Sequence, residues 1–388
     1  MQDEKLLKIE KNIWDDFIKK DTDNIGLYVG LSGLILFYDS LFEAYPIEEY
    51  ENKLLEVIEK VNEVIETKQD SMTLCTGVAG YGLILLRLKN KSIDIDLEYF
   101  ETIDQILIEE FELLCSNNGF DFMHEAIGIS MYFIERYKIS KDDKIAAILN
   151  TFAKDLIHKI NVDFKNVLIK NDENRGDYYS LGLAHGVAGY LNFLLYFHKH
   201  FPTSDTEIKK ALRTCREFLF SYKGFDDRSN QYYANVYSLT SKNFIPSRLS
   251  WCQGDLGVSN ALYNTGVFLD DDSLINEAIE LMNHSVSLDF KNSYINDFGF
   301  CHGSSGVLIQ FYLAQKKYNI DYSQKIDYWF EILKEQTSNF EEYPWYSNRE
   351  EKYFPEMNLL VGAVGLGLTL LTVEDKISTN WLEMFNLH

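Results

Sequence analysis

Proline is nearly absent, five in 388 residues, so long helices would meet few obligatory breaks. Cysteine is equally sparse, five residues, which excludes a disulfide-stapled scaffold. Positive charge is in short supply too. Thirty-seven Lys and Arg stand against 60 Asp and Glu, a formal net charge of −23, and nucleic acid is excluded because its phosphates would be repelled. The acidity suits a cationic partner such as a basic peptide, or simply high solubility. Long apolar runs are missing: residues 26–38 and 359–373 fall short of a membrane span and are broken by glycine. The N-terminus, MQDEKLLKIEKNIWDDF, alternates charged with apolar residues and lacks the core of a signal peptide. These absences point to a cytoplasmic protein whose cysteines are not structural disulfides. Cys115 and Cys215 sit in helical patterns and read as small core hydrophobes.

What the chain does have is apolar content, 46%, enough for a large core, and a repeat. A Gly-x-x-Gly frame followed by an apolar run occurs as GLSGLILFY, GVAGYGLILL, GVAGYLNFLLYF, GDLGVSNALY, GSSGVLIQFYL and GAVGLGLTLL. A weaker copy, EAIGISMYFI, keeps only its second glycine, Gly128. The seven frames start at 30, 77, 125, 186, 254, 303 and 362. Before each lies a charged stretch with apolar residues at helical spacing. In YENKLLEVIEKVNEVIETK, Leu54, Leu55, Ile58, Val61 and Ile65 are expected along one face.

An amphipathic helix faces water, and one apolar on most sides must be surrounded. Seven of each in alternation suggest an all-α protein, either an open solenoid or a closed α/α toroid of seven inner and seven outer helices. The recurring glycines, each costing a helix roughly 1 kcal/mol, need a reason, and crowding at the inner-helix starts favours the toroid. The expected organisation is a single domain over residues 1–388. Insertions near 161–181 and 222–250, rich in Asn, Asp, Ser and Tyr, read as loops or short strands.

In a closed ring all frame starts lie at one end, so residues just before the glycines converge on the mouth. Cys252 and Cys301 each precede the first glycine of their frame by two positions, and His302 and His185 precede theirs by one. Asp121 lies four positions before Glu125, and Arg248 four before Cys252. Two thiols and an imidazole suit Zn²⁺, and three protein ligands leave a fourth position open, the mark of a catalytic site. Cys75 shares the register. With helices packed about 9–10 Å apart, however, a seven-membered ring is roughly 20 Å across, and its frame sits nearly opposite, so it reads as a packed thiol. His185 is compatible with a site residue or a core histidine, His124 with a site or a surface residue, and Arg248 with a site role or an ordinary ion pair. His158, His198, His200, His284 and His388 read as solvated.

WCQG, CHGSSG and AHGVAG, set in these seven frames, resemble the lanthionine synthetase C family, the cyclases of lantibiotic biosynthesis, over essentially the whole chain. That resemblance implies an α/α toroid with Cys252, Cys301 and His302 as zinc ligands. It also implies His185 as active-site acid/base, Asp121 as the group that orients or tunes it, and Arg248 as stabiliser of developing negative charge. The implied activity is zinc-dependent addition of precursor-peptide cysteine thiols to dehydroalanine or dehydrobutyrine, forming thioether rings. The substrate would be a dehydrated precursor peptide with leader and core. The implied partners are a separate dehydratase and an exporter, with the cyclase cytoplasmic or held at the membrane periphery by them. Gln253 departs from the tyrosine common in bacterial cyclases, and the third frame lacks its first glycine. Two alternatives stand beside this: addition of glutathione or another external thiol to dehydroamino acids, and a non-catalytic zinc-containing peptide scaffold.

Overall fold

The computed structural model describes residues 2–20, 22–67, 71–91, 95–173, 176–339, 344–347 and 351–388. Charged and apolar helices alternate along it. The charged ones are α1 (Gln2–Lys19), α3 (Glu48–Thr67), α5 (Leu97–Ser116), α7 (Asp143–Val167), α9 (Asp205–Ser221), α11 (Asp272–Val286) and α13 (Ser323–Asn339). Each Gly frame opens one of the others: α2 (Leu31–Ala44), α4 (Val78–Asn90), α6 (Ala126–Ser140), α8 (Val187–His200), α10 (Asp255–Leu269), α12 (Ser304–Tyr318) and α14 (Ala363–Val373). Helices α2 and α14 bury almost every residue, whereas α3 buries one stripe. Among the described residues no helix is long and apolar enough to cross a membrane.

The chain divides into two compact units. One comprises residues 1–141, 297–300 and 335–379, the other 142–296, 301–334 and 380–388. The first therefore holds α1 to α6 and α14, the second α7 to α12, and α13 starts in the second and ends in the first.

The two helix classes begin differently. Asp96, Asp142 and Asp271 cap α5, α7 and α11, each accepting from backbone N–H groups of the first turn. None of the frame helices has a side-chain cap hydrogen bond. In α2, α4, α6 and α14 the first N–H goes instead to a carbonyl seven residues earlier, and in α8 the second does. Leu31 donates to Asn24 at 2.9 Å, Val78 to Ser71 at 3.1 Å, Ala188 to Leu181 at 3.3 Å and Ala363 to Glu356 at 3.1 Å. The preceding loop must therefore lie across the helix start, and this is what the glycines permit. A Cβ on Gly77 would come within 2.1 Å of the Ser71 carbonyl oxygen. A Cβ on Gly80, the second glycine, would meet both the Leu74 oxygen, at 2.4 Å, and the neighbouring frame at Leu27 N, at 2.6 Å. In the third frame the exchange is reversed: Glu125 stands at the first position and a glycine, Gly119, lies opposite, its carbonyl accepting from Ala126 at 3.0 Å. A Cβ on Gly119 would come 3.4 Å from the Glu125 Cδ.

Register-equivalent residues, two before each frame start, are also joined by backbone hydrogen bonds. In the first unit Leu360 donates to Tyr28 (2.9 Å), Tyr28 to Cys75 (3.1 Å) and Cys75 to Met123 (3.0 Å). In the second, Ala184 donates to Cys252 (3.2 Å) and Cys252 to Cys301 (3.3 Å).

Several local expectations shift. The buried stripe of α3 is Leu54, Val57, Val61 and Val64, with Leu55 44% exposed. Two stripes one residue apart compete there, and the one chosen also buries Lys53 against Glu10 at 2.7 Å. Residues 161–167 continue α7 past a break at Asp163 because Phe164 and Val167 find buried sites, Phe164 edge-on to Tyr190 and Phe218. Beyond it, strands β1 (Ile169–Asp172) and β2 (Gly176–Ser180) join β3 (Val236–Ser238) and β4 (Phe244–Ile245) in one antiparallel sheet, ordered β1-β2-β3-β4. A further hairpin, β5 (Pro344–Ser347) with β6 (Lys352–Pro355), had no counterpart in the sequence reading.

The glycine explanation predicts that Gly80→Ala lowers unfolding free energy by about 1–3 kcal/mol, the usual cost of overpacking. Gly224→Ala, where a Cβ would meet nothing within 4 Å, should stay within about 0.5 kcal/mol of wild type. Denaturant titration of the two variants checks both.

Candidate metal centre and its surroundings

Cys252 lies in the bend before α10, and Cys301 and His302 lie in the turn before α12. The Cys252 N–H bond to the Cys301 carbonyl brings these segments side by side. One ligand atom from each of Cys252, Cys301 and His302 can be chosen so that all lie within 4.8 Å of one another. Tetrahedral zinc with bonds of about 2.0–2.3 Å needs edges of about 3.5–3.8 Å, so small side-chain adjustments suffice. The donor set fits: two sulfurs and one imidazole, with Cys301 8% exposed and Cys252 and His302 half-buried. No other group of three or more His, Cys, Asp or Glu among the described residues meets this geometry.

The surroundings hold Cys252 from several sides. Ser250 Oγ lies 3.6 Å from Cys252 Sγ and donates to the Gln253 carbonyl at 2.9 Å. The Ser250 carbonyl accepts from Gln310 Nε2 at 3.1 Å. Trp251, fully buried, donates its indole N–H to the Phe385 carbonyl at 3.0 Å. Hydrogen bonding to the Cys301 thiol, supported by His302 and Ser250, holds the Cys252 thiol well below the ordinary cysteine range against the opposing effect of burial. Cys75 shares the register but not the environment. Burial pushes its thiol up to about 12, and the Asp121 carboxylate adds to the shift.

The other expected site residues occupy the same kind of turn. His185 is exposed, immediately before the frame glycine of α8, and its neighbour Ala184 is bonded to the Cys252 carbonyl. Arg248 is half-buried, and no carboxylate among the described residues forms an ion pair with it. Asp121 belongs to the first unit and is 5% exposed. Its Oδ1 accepts from the N–H groups of Met123 at 2.8 Å and His124 at 3.0 Å, forming the turn that leads into α6. His124 itself is exposed.

Of the histidines expected in solvent His158 is exposed, but four are held. Half-buried His198 bonds Thr203 Oγ1 at 2.6 Å and lies 3.2 Å from Asp205, and half-buried His200 packs its ring 4.5 Å from that of Tyr196. His284 Nε2 meets the Asn230 carbonyl at 3.0 Å, with Phe225 and Tyr232 against its ring. His388 Nε2 meets the Asn192 carbonyl at 2.9 Å, and burial takes its pKa down to about 3. Cys115 is only half-buried, while Cys215 is fully buried as expected. Sequence reasoning passed over Asp255, the first residue of α10, whose carboxylate is wholly buried. The signal was available: it is the one acidic residue in the first turn of any frame helix.

A protein-family model described as "Lanthionine synthetase C-like protein" matches residues 21–386. Among solved structures, nisin cyclase superposes with a TM-score of 0.76 at 21% identity, covering 98% of this chain and 96% of that one. This likeness shows the fold, an α/α toroid. The unsaturated glucuronyl hydrolase from Bacillus sp. GL1 gives a TM-score of 0.43 at 13% identity, over 76% of this chain and 85% of that one, too low to carry an argument. A comparison with curated proteins gave no match.

If Cys252 and Cys301 hold a metal, chelation should raise the number of alkylated cysteines by two at neutral pH, mapping to these residues by mass spectrometry. Cys75 and Cys215, whose thiols burial pushes up, should stay unmodified throughout. Identical labelling with and without chelator would show that the pair holds no metal.

Proposed function

The chain belongs to the lanthionine synthetase C-like family, and from that premise we propose that it is a zinc-dependent lanthionine cyclase, adding cysteine thiols of a dehydrated precursor peptide to dehydroalanine or dehydrobutyrine. The observation that carries the reading is the Cys252, Cys301 and His302 group, drawn from two adjoining frame turns with its ligand atoms within 4.8 Å. Zn²⁺ held there with a fourth position open would favour the thiolate form of an incoming thiol, which is otherwise mostly protonated at neutral pH.

The remaining chemistry falls to the chain's own residues. The peptide sulfur forms a bond to the β-carbon of the dehydro residue, and the alkene electron pair moves to the α-carbon and its carbonyl as an enolate. His185 receives the proton released by the thiol and serves as general acid/base. Its position in the turn bonded to Cys252 supports that role. The enolate α-carbon must take up a proton, which completes the addition with no atom lost. Arg248, a guanidinium with no carboxylate partner among the described residues, is suited to stabilising the developing negative charge. Asp121 enters through the family resemblance alone, as the carboxylate tuning the acid–base step. The reading also requires a dehydratase to supply the substrate, and an exporter to carry the product. It sets the enzyme in the cytoplasm, where thiols stay reduced, free or held at the membrane periphery by those partners.

The test is incubation with a dehydrated precursor, followed by alkylation and mass spectrometry. Peptide thiols should disappear without change in peptide mass. Cys301→Ala should abolish the loss, and His185→Ala should slow it about 10²–10⁴-fold. Tight binding with every peptide thiol retained would leave a scaffold in place of an enzyme. Conversion only on addition of an external thiol, with a matching gain in mass, would replace cyclisation by intermolecular addition.

A further inference from the structure

Frame helix α10 begins unlike its relatives. In α4 the first N–H, Val78, goes to a carbonyl seven residues earlier. The equivalent N–H in α10, Asp255, is taken at 2.9 Å by Gln231 Oε1, a side chain from the insertion before the frame. The switch is possible because Gly254 has φ +80°, ψ −169°, a conformation open essentially to glycine alone. A Cβ at Gly254 would also strike the Arg248 oxygen at 2.4 Å, Gln231 Oε1 at 2.8 Å and Ser247 Oγ at 3.3 Å. Three stretches thus meet at one point: the strip Gln231–Tyr233, the turn Ser247–Arg248 and the helix start Gly254–Asp255.

The Asp255 carboxylate closes this knot. It accepts from Tyr232 N–H at 3.0 Å and Tyr233 N–H at 2.9 Å. The Tyr233 carbonyl in turn accepts from Ser247 Oγ at 2.6 Å, next to Arg248. Asp255 is 0% exposed, and its hydrogen-bond donors are backbone N–H groups. Burial pushes its carboxyl up to about 7, with the two N–H groups and Lys223 pulling the other way and Glu277 adding to the rise. Such a buried acid is unfavourable unless its acceptor capacity is used. Here it is: both carboxylate oxygens accept from backbone N–H groups, where asparagine would turn an NH₂ group toward one of the donors. The helix N-terminus supplies further favourable field.

We propose that Asp255 is a positioning residue, clamping the strip Gln231–Tyr233 to the start of α10 and thereby fixing the Ser247–Arg248 turn so that the Arg248 guanidinium is held for the reaction. The inference rests on the proposed cyclase activity for its catalytic consequence, but the clamp itself can be read without any turnover.

The experiment uses the full chain as Asp255→Asn, with Gln231→Ala as a second variant loosening the same strip should the first fail to fold. Limited trypsin digestion reads the clamp directly. Cleavage at Arg228 and Lys242 is expected to accelerate at least about tenfold, because tryptic cutting of a native chain follows the opened population of the segment, while metal content stays that of wild type. With dehydrated peptide, kcat should fall by about 10–100-fold and KM change little. In an Arg248→Ala background Asp255→Asn should add no further loss of kcat, because both changes remove the same contribution. Unchanged proteolysis, loss of metal, or fully additive losses of kcat would each overturn the proposal. A wild-type protein that cyclises no peptide, yet whose insertion is loosened by Asp255→Asn, would refute the proposed reaction while leaving the clamp in place.

Discussion

A helix starts with N–H groups that have no acceptor inside it, and the construction of this protein follows from how the frame helices meet that need. None uses the side chain of its own N-cap residue, and α10 turns to a distant one, Gln231. Carbonyls from seven residues earlier are laid over the helix start, as from Ser71 to Val78, which leaves no room for side chains at the frame glycines. Once the loop is pinned in this way, the residue two before the glycine has its peptide edge free to bond the next frame, as Tyr28 does with Cys75 and Cys252 with Cys301. The residue three before reaches the second glycine of a neighbour: a Cβ on Gly257 would lie 3.0 Å from Leu183 Cβ. A local backbone requirement thereby sets the spacing between turns, and the approach of Cys252, Cys301 and His302 is one result of that spacing.

Identical register does not make identical chemistry. Cys75 and Cys252 hold the same place in their frames, yet one thiol is raised by burial beside a carboxylate and the other lowered by a second thiol, an imidazole and a hydroxyl. The buried carboxylates divide in the same manner. Asp104 pairs with Arg136 at 3.1 Å and ties α5 to α6, a bond in which each charge answers the other's desolvation. Asp121 and Asp255 use their carboxylate oxygens on backbone N–H groups and shape turns. In a chain of net charge −23, Arg248 stands half-buried without a carboxylate partner among the described residues.

The seven frames and their alternation with charged helices were legible because glycine is irreplaceable where a carbonyl comes within 2.1 Å of its missing Cβ, so the pattern survives in residue identity. The common register of Cys252 and Cys301 was legible for the same reason. The third frame shows the limit of that signal. Its contact persists with the glycine moved to the other partner, Gly119, and a search for Gly-x-x-Gly reads it as a degenerate copy. The stripe of α3 shows another. Leu54 and Leu55 are equally apolar, and only the buried Lys53–Glu10 pair, 43 residues apart in sequence, decides which faces inward.

By itself the sequence determined what short-range sterics and periodicity determine: an alternation of helices, a set of equivalent turns, and the donor types standing in them. Tertiary structure decided which equivalent positions acquire partners. Two insertions far apart in the chain pair through β2 and β3 into one sheet, and Gln231 reaches the start of α10 across 24 residues. The difference has a physical cause. Backbone crowding acts within a few residues and leaves its mark on each of them, whereas the shift of a thiol or carboxylate is set by groups that only the folded chain brings within hydrogen-bonding distance.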